Sequence, residues 1–326
     1  MLFVLVVHLN YKALGFPTWS AVNAEPLLWL GRFFTEQVAI VCVDVFVLIS
    51  GWFGIRPTLR GGMKYLFQVL FAASVIIAAV AVCCPERLPE ASLREVFYGQ
   101  WFVRAYLALF VFSPVLNRFV ESCTRRQLEG VLLAFYSLQT LDLLFRFKGT
   151  YSDGYSAVSF MGLYLLARYI RLYRADALFR RPRLLWAVWA GCLLLPVLLQ
   201  ICCALNFSKK IFEVSVALSM AYSNPLVVVQ SLAMLLIFAR FDFRNRVVNW
   251  LASGSFAVYL LHTNPLVYPD YCRLGKQLHT SAPLPQALLL DALFLAAVFL
   301  GSVLIDRLRL HAWSALERLA HRLGGK

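Results

Sequence analysis

The sequence predicts an all-α, polytopic integral membrane protein with about ten transmembrane helices, the first of them shortened at its N-terminus. Three observations carry that prediction. Of 326 residues 61% are hydrophobic and 15% charged, where a soluble domain carries about 25% charged residues. Long apolar runs recur from end to end, joined by short polar links. Lysine and arginine are distributed unevenly between alternate links, as the positive-inside rule requires of a membrane-spanning chain.

The runs fall at 1–16, 35–55, 64–84, 100–117, 128–146, 156–172, 184–205, 222–240, 247–268 and 284–306. A spanning helix needs about 20 apolar residues, and the first run, closed by Pro17, falls short of that. It also lacks the basic flank and small-residue cleavage site of a signal peptide. The second run, CVDVFVLISGWFGI, is the most unusual. It carries Asp44 at its middle, followed by Ser50, Gly51 and Gly54, small residues that let helix backbones approach closely. The fourth opens on Trp101 and Arg104, the seventh contains Pro196, and the ninth carries His262 near its end. After the tenth comes DRLRLHAWSALERLAHRL, in which Leu308, Ala312, Ala315, Leu319 and Leu323 share one helical face among basic residues. That pattern predicts an interfacial helix on the inner leaflet. The chain thus divides into one transmembrane domain over 1–306 and a basic amphipathic cytoplasmic tail over 307–326, with no internal repeat.

With both termini cytoplasmic, the inner links and tail hold 20 Lys and Arg against 10 in the outer links. Every inner link has at least three. The net charge of +14 then reflects topology and attraction to anionic membrane lipids, with no nucleic-acid partner implied. The expected location is the cell inner (cytoplasmic) membrane. The eight cysteines form two adjacent pairs and four isolated residues with no CxxC and no histidine at ligand spacing. They are read as small apolar core residues, and no metal site is predicted.

Ionisable residues within the runs are costly, about 2.5–3.5 kcal/mol each at the bilayer centre. Six stand out: His8, Asp44, Arg104, Asp142, His262 and Asp291. Asp142 has Arg146 one turn on, Arg104 can snorkel, Asp291 can reach water at an outer helix end, and His262 can be a bonded packing residue. His8 sits among Val6, Val7 and Leu9, and together with Asp44 it is the strongest candidate for chemistry.

Four stretches, in this order, resemble the acyltransferase-3 family of bacterial membrane O-acyltransferases, of the surface-polysaccharide acetyltransferase type. VVHLN is similar to the family's histidine-bearing first span. VDVFVLISGWF resembles its second-span signature, WFVRAYLALFVFSPVLN its fourth span with an aromatic start and Pro-Asn end, and SGSFAVYLLHTNPLV its late Tyr-Leu-x-His segment. The family also carries an arginine farther upstream of the histidine than this chain extends, since only seven residues precede His8. The sequence is therefore expected to begin late in that span. The resemblance makes 1–306 an acyltransferase domain and implies transfer of an acyl group, usually acetyl, from acyl-CoA to a hydroxyl of a cell-surface polysaccharide or lipid-linked glycan.

On that reading His8 is the general base, or a transient acyl carrier, and Asp44 orients or pairs with its imidazole. Arg168 and Arg171, with Arg56 and Arg60, receive the anionic donor acetyl-CoA. Ser50, Trp101, Arg104 and His262 line the substrate path, and Trp101, Tyr151 and Tyr155 offer rings for sugar stacking. The competing reading is a multi-pass transporter or flippase for a small metabolite or lipid-linked sugar. The lack of a repeat and the placement of most prolines at run ends count against it.

Overall fold

The computed structural model describes residues 1–88, 100–145 and 150–324. Arg94, Arg146, Lys148 and Lys326 lie outside the described residues, and so does the expected Asp142–Arg146 pair. Every longer element described is helical: α1 (Leu2–Val7), a π-helical stretch (His8–Ala13), α2 (Trp19–Ala24), α3 (Pro26–Ala39), α4 (Cys42–Phe53), α5 (Leu59–Cys83), α6 (Trp101–Ser122), α7 (Arg125–Phe145), α8 (Ala157–Tyr173), α9 (Ala175–Phe179), α10 (Pro182–Asn206), α11 (Lys209–Ser219), α12 (Pro225–Ala239), α13 (Arg246–Ser253), α14 (Ser255–His262), α15 (Tyr268–Thr280) and α16 (Leu284–Gly324). The chain is an all-α polytopic membrane protein. Among the described residues six helices are long and apolar enough to cross a membrane, counting Pro26–Phe53 as one, with shorter apolar helices at Leu2–Ala13 and Pro225–Ala239.

The helices begin where the sequence supplies caps. Thr58 accepts the Gly61 amide at 3.0 Å, Ser156 that of Ser159 at 3.1 Å, and Asn224 that of Leu226 at 2.8 Å, each satisfying one otherwise orphaned donor. Pro26, Pro182 and Pro225 occupy first turns, where no amide is needed. Pro114 lies inside α6 and cannot bond the carbonyl of Phe110, four residues back. Ser113 Oγ donates to that carbonyl at 2.7 Å instead, a repair that lets proline persist within a spanning helix.

Two compact units emerge. One comprises Met1–Leu9, Thr58–Gln100 and Phe243–Lys326, the other Asn10–Pro57 and Trp101–Asp242. In the first, α14 and α15 pack on α16, and α14 also packs on α5. The ninth apolar run is not one helix here, because it divides at Gly254 into α13 and α14 of eight residues each. Eight residues rise only about 12 Å, too little to cross a membrane. α13 buries none of its residues, and Arg307 Nη2 from α16 ties its last turn through Trp250 O and Ser253 Oγ. α16 runs from the tenth apolar run into the amphipathic tail as one helix, since neither Gly nor Pro interrupts the chain between Gly301 and Gly324. At the expected boundary Arg309 is salt-bridged to Asp306 at 2.6 Å, both buried, and Gln68 donates to Asp306 at 3.1 Å.

In the second unit α4 packs on α8 and α12, α8 on α6 and α7, and α10 on α3 and α12. A core of Tyr11, Val22, Trp29, Phe33, Val197, Ala204, Phe212 and Val216 holds the α2–α3–α10–α11 end together. The α4–α8 contact depends on Gly51: a Cβ there would lie 2.6 Å from the Tyr164 carbonyl oxygen and 2.8 Å from Ala167 Cβ. Gly54 then ends α4 at φ +78°, a conformation that L side chains rarely adopt. Substituting Gly51→Val forces α4 from α8 and costs about 1–3 kcal/mol. The expected result is a lowered thermal midpoint of the detergent-solubilised protein. Gly130→Ala, where nothing lies within 4 Å, serves as the control, and equal midpoints for Gly51→Val and the native chain would contradict the close approach.

Candidate active site

The first unit contains His8, at the point where α1 passes into the π-helical stretch. Such π turns recur at functional sites. His8 is half-buried, and its Nδ1 lies 2.9 Å from Nε2 of His262, the last residue of α14. His262 is 2% exposed, and its Nδ1 bonds the Val258 carbonyl one turn back. α15 closes on both imidazoles: Tyr268 meets His8 edge-on at 5.3 Å, and Tyr271 lies 5.3 Å from His262. The Tyr271 hydroxyl donates to the Leu5 carbonyl at 2.7 Å, pinning the turn before His8. Gln100 secures the end of α14, donating to Leu260 O at 2.8 Å and to Thr263 Oγ1 at 3.1 Å. Asp291, expected to reach water, is buried instead and bonded to Nδ1 of His279 at 2.8 Å.

Asp44 belongs to the second unit and is fully buried on α4. Both of its carboxylate oxygens lack a hydrogen-bond partner among the described residues, and so does the buried Tyr136 hydroxyl on α7, which is within electrostatic reach of Asp44. The described hydrogen-bond partner of the His8 imidazole is His262; Asp44, which the sequence offered as its orienting group, belongs to the other unit. Ser50 Oγ donates to Phe46 O at 3.2 Å and pairs with the Tyr106 hydroxyl at 3.0 Å, so its single proton is committed to the helix backbone.

The exit of α4 is tightly bonded. Asn117 Nδ2 donates to Ile55 O at 2.8 Å, the Ile55 amide donates to Tyr164 OH at 3.0 Å, and Tyr164 donates to Asn117 Oδ1 at 2.5 Å. Arg168 reaches the same turn, its Nη1 3.1 Å from where a Cβ on Gly54 would lie. Its Nε is buried without a hydrogen-bond partner among the described residues. Arg171, one turn on, lies over the Trp52 ring at 4.8 Å. Beside it a cleft of about 320 Å³ is lined by Arg171, Arg174, Asp176 and Arg180. Arg56 is exposed in this unit, whereas Arg60, in the first unit, is salt-bridged to Glu317 at 2.7 Å. Trp101 and Tyr155 stand 4.5 Å apart, with Tyr222 4.9 Å from Tyr155. Tyr151 lies apart from them, edge-on to Phe135, and Arg104 is exposed.

A further polar cluster in this unit escaped the sequence reading. Asn10 Nδ2 donates to Glu36 Oε2 at 2.9 Å, and Arg32 Nε donates to Asn10 Oδ1 at 3.2 Å. Arg32 also bonds Gly15 O at 2.7 Å and lies 4.2 Å from the Trp29 ring, while Glu36 is fully buried. The available signal was Glu36 at the start of the second apolar run, where it passes for a residue of the preceding link.

Neither curated proteins nor solved structures match the chain. A family model described as an acyltransferase domain matches residues 1–307, a span that contains both imidazoles, Asp44 and the arginines of α8. The chain belongs to the acyltransferase-3 family and is a membrane acyltransferase.

Proposed function

We propose that the protein is an O-acyltransferase of the bacterial inner membrane, with both termini cytoplasmic. It moves an acetyl group from acetyl-CoA to a hydroxyl of a cell-surface polysaccharide or lipid-linked glycan. The observation that carries this reading is the half-buried imidazole of His8, held through Nδ1 at the start of a π-helical stretch. A sugar hydroxyl is a weak nucleophile at neutral pH. An imidazole, with an ordinary pKa near 6.5, can take its proton as the oxygen attacks the thioester carbonyl. The new C–O bond forms, the tetrahedral adduct collapses with cleavage of the C–S bond, and the CoA thiolate recovers the proton from the imidazolium. The products are the ester and free CoA thiol, with His8 neutral again.

Asp44 is the second catalytic group on this reading. Its buried oxygens accept no hydrogen bond from the described residues, which suits them to a hydroxyl of the acceptor better than to orienting an imidazole that His262 already holds. The donor's phosphates call for cationic partners. Arg168 has a buried Nε with no partner among the described residues, and Arg171 borders an arginine-lined cleft, a donor set that fits a polyanion. The pairing of Arg60 with Glu317 makes it the weaker member of the proposed donor set, and exposed Arg56 adds long-range charge. Trp101 and Tyr155 offer the acceptor an aromatic face. The same features give a transporter no group-transfer partner, and it remains the second reading only as the alternative outcome below.

Saturating acetyl-CoA, at about a hundredfold over its dissociation constant, stabilises the detergent-purified protein by about 2.7 kcal/mol. The expected signature is a raised thermal midpoint that ATP or a nucleotide sugar does not reproduce. A shift with the nucleotide sugar alone would favour transport. His8→Ala lowers acetyl transfer by about 10²–10⁴-fold with membrane insertion intact, and full activity in that variant removes His8 from the chemistry. Replacing Arg168 and Arg171 by Glu raises KM for acetyl-CoA about tenfold or more. An unchanged KM assigns those arginines to membrane orientation alone.

A further inference from the structure

We propose that His262 is a positioning residue that fixes the proton of His8 on Nδ1, so that Nε2 is the basic atom; this rests on the reading of His8 as general base. The assignment follows from donors and acceptors. The Val258 carbonyl can only accept, so the hydrogen bond to it requires a proton on Nδ1 of His262. His262 is buried, its ring neighbours include His8, Tyr259 and Tyr271, and among the described residues no carboxylate is bonded to it. An imidazolium in that setting would be an uncompensated buried charge, so His262 is neutral and its Nε2 is a lone pair. That lone pair lies 2.9 Å from Nδ1 of His8, and it can be bonded only if His8 donates. A neutral His8 then carries its one ring proton on Nδ1.

The arrangement does for His8 what a buried partner does for a catalytic imidazole in a triad: it selects a tautomer and a ring orientation before substrate arrives. After Nε2 has taken the hydroxyl proton, Nδ1–H still donates to His262, so no bond in the pair has to break during the proton's stay. The Tyr268 and Tyr271 rings restrict the two imidazoles from the α15 side. His262, expected from sequence to line the substrate path, acts on this account through His8 alone.

The test uses the full chain labelled with ¹⁵N-histidine, in which five histidines are observed and His8→Gln and His262→Gln assign the two resonances. Long-range ¹H–¹⁵N correlations in the native protein at a pH where both rings are neutral are expected to place the proton on Nδ1 in each. A proton on Nε2 of His8, or a mixture of the two forms, overturns the proposal. This readout does not depend on activity. In transfer assays His262→Leu is expected to lower kcat by roughly 10²-fold or more with KM for acetyl-CoA unchanged, since the wrong tautomer at a catalytic imidazole costs about 10⁴ elsewhere. His262→Gln is expected to restore part of that loss, because its carboxamide oxygen can accept from Nδ1–H of His8. Equal losses in the Leu and Gln variants would overturn the role assigned to hydrogen-bond acceptance. Activity surviving in His8→Ala would instead sink the catalytic reading itself, a failure the tautomer measurement separates from that of the pair.

Discussion

Inside hydrocarbon a polar atom has protein as its bonding partner or goes without, and leaving one unpaired costs several kcal/mol. That constraint explains most of the polar side chains within this fold. Ser113 meets the carbonyl that Pro114 strands. Gln100 supplies donors to the end of α14. Asn117 and Tyr164 satisfy both backbone groups of Ile55 where α4 stops. In each case a polar residue in an apolar run repairs a break in the helical ladder, so its presence requires no catalytic explanation. The breaks and their repairs also fix where the helices end, and hence where the side chains at those ends stand.

The residues that fail this accounting are the informative ones. Asp44 and Tyr136 are buried with polar atoms that no described residue bonds, and Arg168 Nε, beside the repaired turn, has no hydrogen-bond partner among the described residues. The hydroxyls of Tyr11, Ser223 and Ser231 and Nε of Arg307 share that condition, so what distinguishes the two ionisable groups is the fully buried carboxylate of Asp44 and the place of Arg168 one turn before Arg171. The Asn10–Arg32–Glu36 cluster is intermediate. Asn10 bridges the two charged groups, yet Glu36 Oε1 and the neighbouring Gln37 Oε1 stay unbonded, so the cluster is braced without being saturated.

Much of the helix plan was legible because apolar runs of about 20 residues have one stable form in a membrane. Charges inside such runs are equally plain, which is why His8, Asp44, His262 and Asp291 stand out by inspection. Other features leave no comparable trace. The division of the ninth run at Gly254 is invisible in hydropathy, since both halves are apolar. α15 is polar enough to pass for a link, yet it brings Tyr268 and Tyr271 against the histidines. Glu36 hides at the edge of a run, and Arg32 looks like a loop charge until Asn10 is seen beside it. The His8–His262 pair joins residues 254 positions apart, and no local pattern predicts which distant side chain will be a partner. Sequence thus revealed which groups were expensive to bury, and the fold revealed which of them are paired.

That distinction bears on what a histidine at Nδ1 of His8 does differently from a carboxylate in the same place. A carboxylate partner orients an imidazole well and stabilises the imidazolium, but it introduces a second buried charge whose desolvation its Coulombic gain offsets only with excellent geometry and further hydrogen bonds. In a low-dielectric surround it would also favour the protonated ring so strongly that the base would be spent before substrate bound. A neutral imidazole anchored on a backbone carbonyl supplies the same directional acceptor with no net charge. The His8–His262 pair then becomes ionic only while the hydroxyl proton resides on His8, between its removal from the acceptor and its return to the departing thiolate. For a reaction set among apolar helices, a neutral hydrogen-bonded pair lets the resting protein avoid the cost of a permanent charge while still aiming Nε2.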